Sequence, residues 1–147
     1  TLGNAWGVLA SLNKWGDHRR FTDRVGGEAY ADRIVHDHLT DTYYYRPVTL
    51  PTGSWASAID AAVASNAGGL TGWRLPPMGL LQTLINGQGG VLLNYAPFDI
   101  AGVGLLTSTS TPGSPASNAL PMLYSGAFQS VAKTTSHSYL TCRQAEP

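Results

Sequence analysis

The spacing of apolar and polar positions changes several times along the chain, and each change marks an element. Trp6, Leu9 and Leu12 recur at helical spacing behind Asn4, a suitable N-cap, and Gly16 stops the run. A short helix is expected there, within an N-terminal arm taken as residues 1–30, which docks on its own domain or on a neighbouring chain. Residues 31–45 read as strand, turn, strand: Ile34 and Val35 open it, Thr40-Asp41 can turn, and Tyr43-Tyr44-Tyr45 favours β structure. Helical spacing returns at 55–65, where Trp55, Ile59 and Val63 fall at i, i+4 and i+8 with alanines on the flanks. Ser54 can cap its N-terminus, and Asn66 with Gly68-Gly69 ends it. A second helix is expected over 78–86, with Pro77 in its first turn and Leu80, Leu81, Leu84 and Ile85 on one face. Strands are expected at 91–95, 104–108 and 138–143. Ser125-Gly126 should turn a hairpin between 120–124 and 127–132, and Pro112, Gly113 and Pro115 make 109–118 an exposed loop. Strands, two helices, then strands with long loops describe an α+β domain over 31–147, its helices segregated from an antiparallel sheet.

Charge changes this picture. The 147 residues carry 9 Lys+Arg against 9 Asp+Glu, and only 12% are charged, about half the roughly 25% of an average soluble domain. From Lys14 to Arg46 charges are dense, whereas from Leu75 to Ala132 Asp99 stands alone among Gly, Ser, Thr, Asn and Pro. Such a neutral stretch is either a set of loops on a scaffold or a surface set against another protein. Without a surplus of cations, nucleic acid is not expected as a partner. No run reaches the length of a membrane span. Cys142 is alone, so the chain closes no internal disulfide and holds no multi-cysteine zinc site. The chain starts at Thr1 rather than methionine, so removal of an initiator Met, a leader or a longer N-terminal part is expected.

Six blocks in order resemble a known family. They are Asp37, Thr40, Asp41 and Thr42 leading into 43–46; a Trp-led, Ala-rich helix with Trp55, Ala56, Ile59, Asp60 and Ala61; and Gly68, Gly69, Leu70, Gly72, Trp73, Arg74, Leu75 and Pro76. Leu81 with Leu84, then Thr107-Ser108-Thr109, then Leu123, Gly126 and residues 140–143 complete the series. This order resembles the family typified by the C-terminal domain of the Legionella collagen-like adhesin. The resemblance implies a C-type-lectin-like fold related to formylglycine-generating enzymes, used as sugar- or cell-binding heads on bacterial surface and phage tail proteins, often as trimers. The chain departs from the family pattern at Pro77, Leu80 and Leu106, and it lacks the second cysteine that many members carry. The related enzymes' oxidative chemistry uses a cysteine pair, which Cys142 cannot supply alone.

Candidate chemistry is sparse. His36 and His38 would share one side of a strand, but a metal would need a third ligand that no spacing supplies. Asp37 reads better as a turn-former near Thr40. Trp73 and Leu75 alternate into a core with Arg74 facing out, and Cys142 reads as a buried, inert thiol. Nucleophile, phosphate-loop and calcium-lectin signatures are missing, so neither catalysis nor a cofactor or metal is expected. The neutral loops mix rings with short hydroxyl and amide groups, a composition suited to adaptable recognition. Tyr95, Phe98, Asp99, Ser108, Ser110, Asn118 and Tyr124 are the expected ligand-binding residues. Together these features describe a non-catalytic, extracellular recognition module on a phage tail or bacterial appendage. Its expected partners are a cell-surface glycan or a protein receptor, other subunits of the appendage, and copies of itself in a trimer. The alternative is a structural subunit of a virion or filament whose neutral loops form protein contacts.

Overall fold

A computed structural model of the protein describes residues 20–84, 97–100, 104–113, 116–119, 121 and 128–146. It is α+β with antiparallel sheets, as the element order predicted. The expected helix at 4–16, the strand at 91–95 and the Ser125-Gly126 turn lie outside the described residues.

Four strands form the main sheet, in the order β1 (Phe21–Thr22), β2 (Ile34–Asp37), β3 (Thr42–Tyr45) and β8 (Thr141–Gln144). β2 and β3 are the expected hairpin, paired from Ile34↔Tyr45 to Asp37↔Thr42. Asp37 shapes its turn by accepting from the Leu39 amide and the Thr40 hydroxyl, both at 3.0 Å. β1 adds to the free side of β2, so Arg20–Tyr30, expected as the end of an arm, is built into this unit. β8 returns from the far end of the chain to pair with β3.

Because side chains alternate across a strand, the sheet offers two faces, and both are covered. Phe21, Val35, Tyr44 and Cys142 meet Leu81, Leu84, Phe98, Ile100, Leu105 and Leu140 on one side. Phe98 packs edge-on against both Phe21 and Tyr44, with ring centroids 5.3 and 5.6 Å apart, the arrangement ring quadrupoles prefer. On the other side Ile34 and Tyr43 pack against Leu70, Trp73 and Ala145. Trp73 and Leu75 are buried and Arg74 is exposed, as their alternation predicted. The Arg74 backbone exchanges two hydrogen bonds with that of Cys142, which fixes the Trp73–Leu75 segment to the sheet.

The first helix, α1, spans Trp55–Ala64, and Ser54 caps it by accepting from the Ser57 amide. Its inward face differs from the large-residue stripe in the sequence. Ala58 and Ala62 are fully buried, Trp55 and Ile59 are half-buried, and Val63 is 68% exposed. Ala58 lets the helix approach Leu75, Leu106 and Tyr139 closely, as a bulkier side chain would not. Beyond it a 3-10 turn, Ala67–Gly69, needs glycine: Gly68 has φ +62°, and a Cβ there would sit 2.4 Å from Ile34 Cδ1.

The second helix, α2, covers Met78–Gln82, shorter than its leucine spacing suggested. Pro77 lies just before it with extended backbone rather than in its first turn. Thr109 Oγ1 accepts from the Met78 amide, so a distant loop closes this helix end. Short ladders complete the fold: β4 (Thr52–Gly53) with β7 (His137–Ser138), and β5 (Asn118–Ala119) with β6 (Val131–Ala132). The strand expected at 104–108 is reduced to a single bridge, Leu105 to Ser138, and the last strand is divided between β7 and β8.

Asp23 organises the loop between β1 and β2. Its carboxylate, in a residue only 5% exposed, accepts from the amides of Val25, Gly27, Ala29 and Tyr30. Desolvation works to raise its pKa, but the four amides outweigh it and hold the carboxyl below the ordinary 3.8. A depressed folded-state value stabilises the fold in full above the unfolded pKa, and that stability drains away as pH falls through the folded value. Urea titrations from pH 6 down to pH 2 should show Asp23→Asn losing less stability than the parent across the acid range. Parallel losses in the two proteins would refute this assignment.

Candidate functional site

The expected recognition residues are divided by the structure into buried supports and outward groups. Thr107 is fully buried, and its hydroxyl accepts from the Thr109 amide at 3.1 Å. Thr109 in turn caps α2. Between these anchors Ser108 is exposed, held by its amide to Pro76 O at 3.0 Å. The segment therefore has alternating duties, with two threonines tying it to the scaffold and the serines turned outward.

Ser110 and Asn118 are brought together. Ser110 bridges to Ala119, the Thr111 amide donates to Asn118 O, and β5 pairs with β6 alongside. Across this ladder Asn118 Nδ2 donates to Ser130 Oγ at 2.9 Å, and Thr111 Oγ1 lies 3.0 Å from the same oxygen. Lys133 Nζ donates to Ser110 Oγ at 2.8 Å and stands 3.7 Å above the Trp55 ring. The indole Nε1–H donates to Thr107 O, joining the start of α1 to the same loop. A cation over an indole face is attracted by the ring quadrupole. The result is a half-exposed patch of hydroxyls, one amide and one ammonium, fixed by mutual hydrogen bonds.

Trp55, Ser130 and Lys133 were not among the expected residues. Trp55 read as a helix core position, yet it serves as the platform beneath Lys133. Lys133 carried a signal, being the first charge after the neutral stretch. The remaining expected residues are placed elsewhere. Phe98 is 1% exposed within the main core, so its ring supports the fold and has no surface to offer a ligand. Asp99 is exposed, with φ +49°, and follows a carbonyl held by Arg46 Nε at 2.7 Å. Tyr95 and Tyr124 lie outside the described residues.

The histidine pair does converge. The His36 and His38 rings lie 3.9 Å apart and tilted by 30°. His36 Nε2 is 3.0 Å from Asp41 Oδ1, and His38 Nε2 is 2.6 Å from Thr22 Oγ1. The Thr22 hydroxyl already donates to Asp23 O, so His38 is the donor to it. Desolvation and then the neighbouring His36 hold the His38 pKa down, against the pull of Asp37 and Asp41. Asp37, between the two histidines in sequence, is turned to the opposite face and paired with Arg20. Among the described residues no group of three His, Cys, Asp or Glu could hold a metal ion.

Cys142 is fully buried, and burial pushes its thiol up to about 11, with Arg74 opposing weakly. A thiol in that state carries little thiolate at neutral pH and is a poor nucleophile. No helix of the described residues is long and apolar enough to cross a membrane. No protein-family model matches the chain, and no curated protein matches it.

Proposed function

We propose that the protein is a non-catalytic recognition module with a C-type-lectin-like fold. It binds a cell-surface glycan through the patch around Ser108, Ser110 and Asn118. The observation that carries this reading is the hydrogen-bonded set Ser110–Lys133 and Asn118–Ser130, seated on Trp55 at a half-exposed surface. Sugar hydroxyls need short donors and acceptors held in fixed directions. Ordering these groups before binding removes part of the entropy cost of association. Among the described residues Asp37 is engaged by Arg20, His36 by Asp41 and His38 by Thr22. In this reading the module acts outside the cell, on a phage tail or bacterial appendage, as a trimer.

A glycan array followed by titration of the best hit tests the proposal. The double variant Ser110→Ala/Asn118→Ala should weaken binding by at least about tenfold, the loss of one to two hydrogen bonds. Its melting temperature should stay near that of the parent, because surface substitutions usually cost only about 0.5 kcal/mol. Light scattering on the same samples reports the oligomer. Unchanged receptor binding together with a broken oligomer would favour the structural-subunit reading instead.

A further inference from the structure

A second cluster of chemical groups lies on the main sheet, at its junction between β1 and β2. β1 is only two residues long, and it is the edge through which the chain enters the sheet. It meets β2 through the pairs Phe21↔Asp37 and Thr22↔His36, and through the His38 amide, which donates to Arg20 O at 2.8 Å. On one face of the junction Arg20 grips Asp37 and the Phe21 ring is buried. On the other face His38 Nε2 reaches Thr22 Oγ1 at 2.6 Å, a side-chain tie from the end of β2 back to the edge strand.

The donors in this tie are fixed. The Asp41 carboxylate only accepts, so His36 gives it Nε2–H, and the Thr22 hydroxyl spends its proton on Asp23 O, so His38 gives it Nε2–H. Each neutral ring therefore keeps Nδ1 as the nitrogen that takes a further proton. With centroids 3.9 Å apart, one charged ring can lie against one neutral ring, but two charged rings repel. Their surroundings are unequal. A charge on His36 has the Asp41 carboxylate at 3.0 Å, whereas the direct partner of His38 is a neutral hydroxyl. The neighbouring ionisable groups are engaged elsewhere: Asp37 with Arg20 on the opposite face, Asp23 with the amides of its own loop, and Arg24 with Asp32. Tyr43 meets the His36 ring edge-on at 5.1 Å, and Arg143, opposite Tyr43 in the β3–β8 ladder, donates to Thr71 O. Desolvation, and next His36, hold the His38 pKa below the ordinary histidine value, against Asp37 and Asp41. His36 is half-buried against Tyr43 while His38 is exposed, so His38 is the ring with room to swing away.

We propose that the stacked His36–His38 pair is an acid-released latch on β1. At neutral pH the stack seats His38 on Thr22 and holds the edge strand closed. In acid the second charge drives His38 outward, its bond to Thr22 is lost, and β1 pairs with β2 less tightly. The sign follows from linkage. A histidine pKa lowered by folding gives its stability in full above the ordinary histidine value, and that stability is lost as pH falls toward the lower folded value. The Arg20–Asp37 pair and the buried Phe21 ring remain, so acid loosens the edge without unfolding the sheet. The latch stands independently of the glycan reading.

Imidazole NMR titration and amide hydrogen exchange on the intact chain test this between pH 7.5 and pH 5, a window that leaves the Asp23 carboxylate ionised. The two rings should titrate in coupled steps, each sensing the other's proton. The His38 amide, corrected for its intrinsic rate, should exchange about five- to tenfold faster at pH 5, as a local opening of the edge requires. His36→Gln keeps a donor for Asp41 and removes the charge. It should raise the pH at which His38 titrates and remove most of the acid rise in exchange. Independent titration of the two rings, unchanged protection of the His38 amide at pH 5, or an acid rise that survives His36→Gln would each overturn the latch. Circular dichroism at pH 7.5 checks that the variant folds; should it not, the coupled titration and exchange of the parent decide.

Discussion

Arg20→Met will cost about 3–5 kcal/mol of folding stability, the usual penalty for removing one member of a buried ion pair. Arg20 Nε and Nη2 meet Asp37 Oδ1 and Oδ2 at 2.9 and 3.0 Å, and Nη2 also donates to Thr83 O at 2.9 Å. Asp37 is fully buried and Arg20 is 6% exposed, so the pair is largely removed from water. Removing the guanidinium strands a carboxylate that also holds the hairpin turn. For a domain of this size the melting temperature should fall by roughly 10 °C. Arg20→Lys should recover only part of the loss, since an ammonium cannot match the two-pronged contact. The double variant Arg20→Met/Asp37→Leu should be less damaged than the sum of the singles, because no lone charge remains. Urea denaturation of the four proteins measures this cycle. A loss below about 1 kcal/mol for Arg20→Met would put the pair among the energetically idle ones.

Trp73→Ala should be similarly severe, at about 3–5 kcal/mol. The ring is 1% exposed and fills the cluster with Ile34, Tyr43, Leu70 and Ala145 on the second face of the sheet. Its indole N–H donates to Leu70 O at 3.1 Å and Ala67 O at 3.3 Å, which closes the 3-10 turn. Trp73→Phe should therefore separate packing from hydrogen bonding: it keeps most of the ring area, removes the donor to Leu70 O while Ala67 O still accepts from the Leu70 amide, and should cost about 1–2 kcal/mol. The near-ultraviolet circular dichroism should flatten in the alanine variant and persist in the phenylalanine one. Equal losses in the two variants would place the energy in the hydrogen bonds rather than in the ring.

What could be read before the coordinates was local. Asp37 as a turn-former depends on groups two and three residues away, and Ser54 as a cap on an amide three residues on, so both were visible in sequence. Trp73, Arg74 and Leu75 were legible because strand alternation needs no knowledge of the partner. Arg20–Asp37, Thr109 on Met78 and Lys133 on Trp55 join residues far apart in the chain, and no spacing rule reaches across such gaps. The inward face of α1 misled for a related reason. Large apolar residues signal a core stripe, but the space available beside Leu106 and Tyr139 selects Ala58, and Ala62 is buried on the same helix. Phe98 failed as a ligand residue because loop composition does not reveal which ring turns inward to plug the core.

Tyr44 and Cys142 are neighbours in the main sheet although about two-thirds of the sequence separates them. The central ladder is completed only when Thr141–Gln144 reaches Thr42–Tyr45, so folding is slowed by this distant strand closure. The same geometry leaves residues 46–140 as one long excursion from a clamp made by its two ends. Within that excursion, Ser108, Ser110, Asn118 and Ser130 lie outside the β1–β2–β3–β8 sheet, so substitutions there should leave its pairing intact. The rungs that hold the clamp shut would not change.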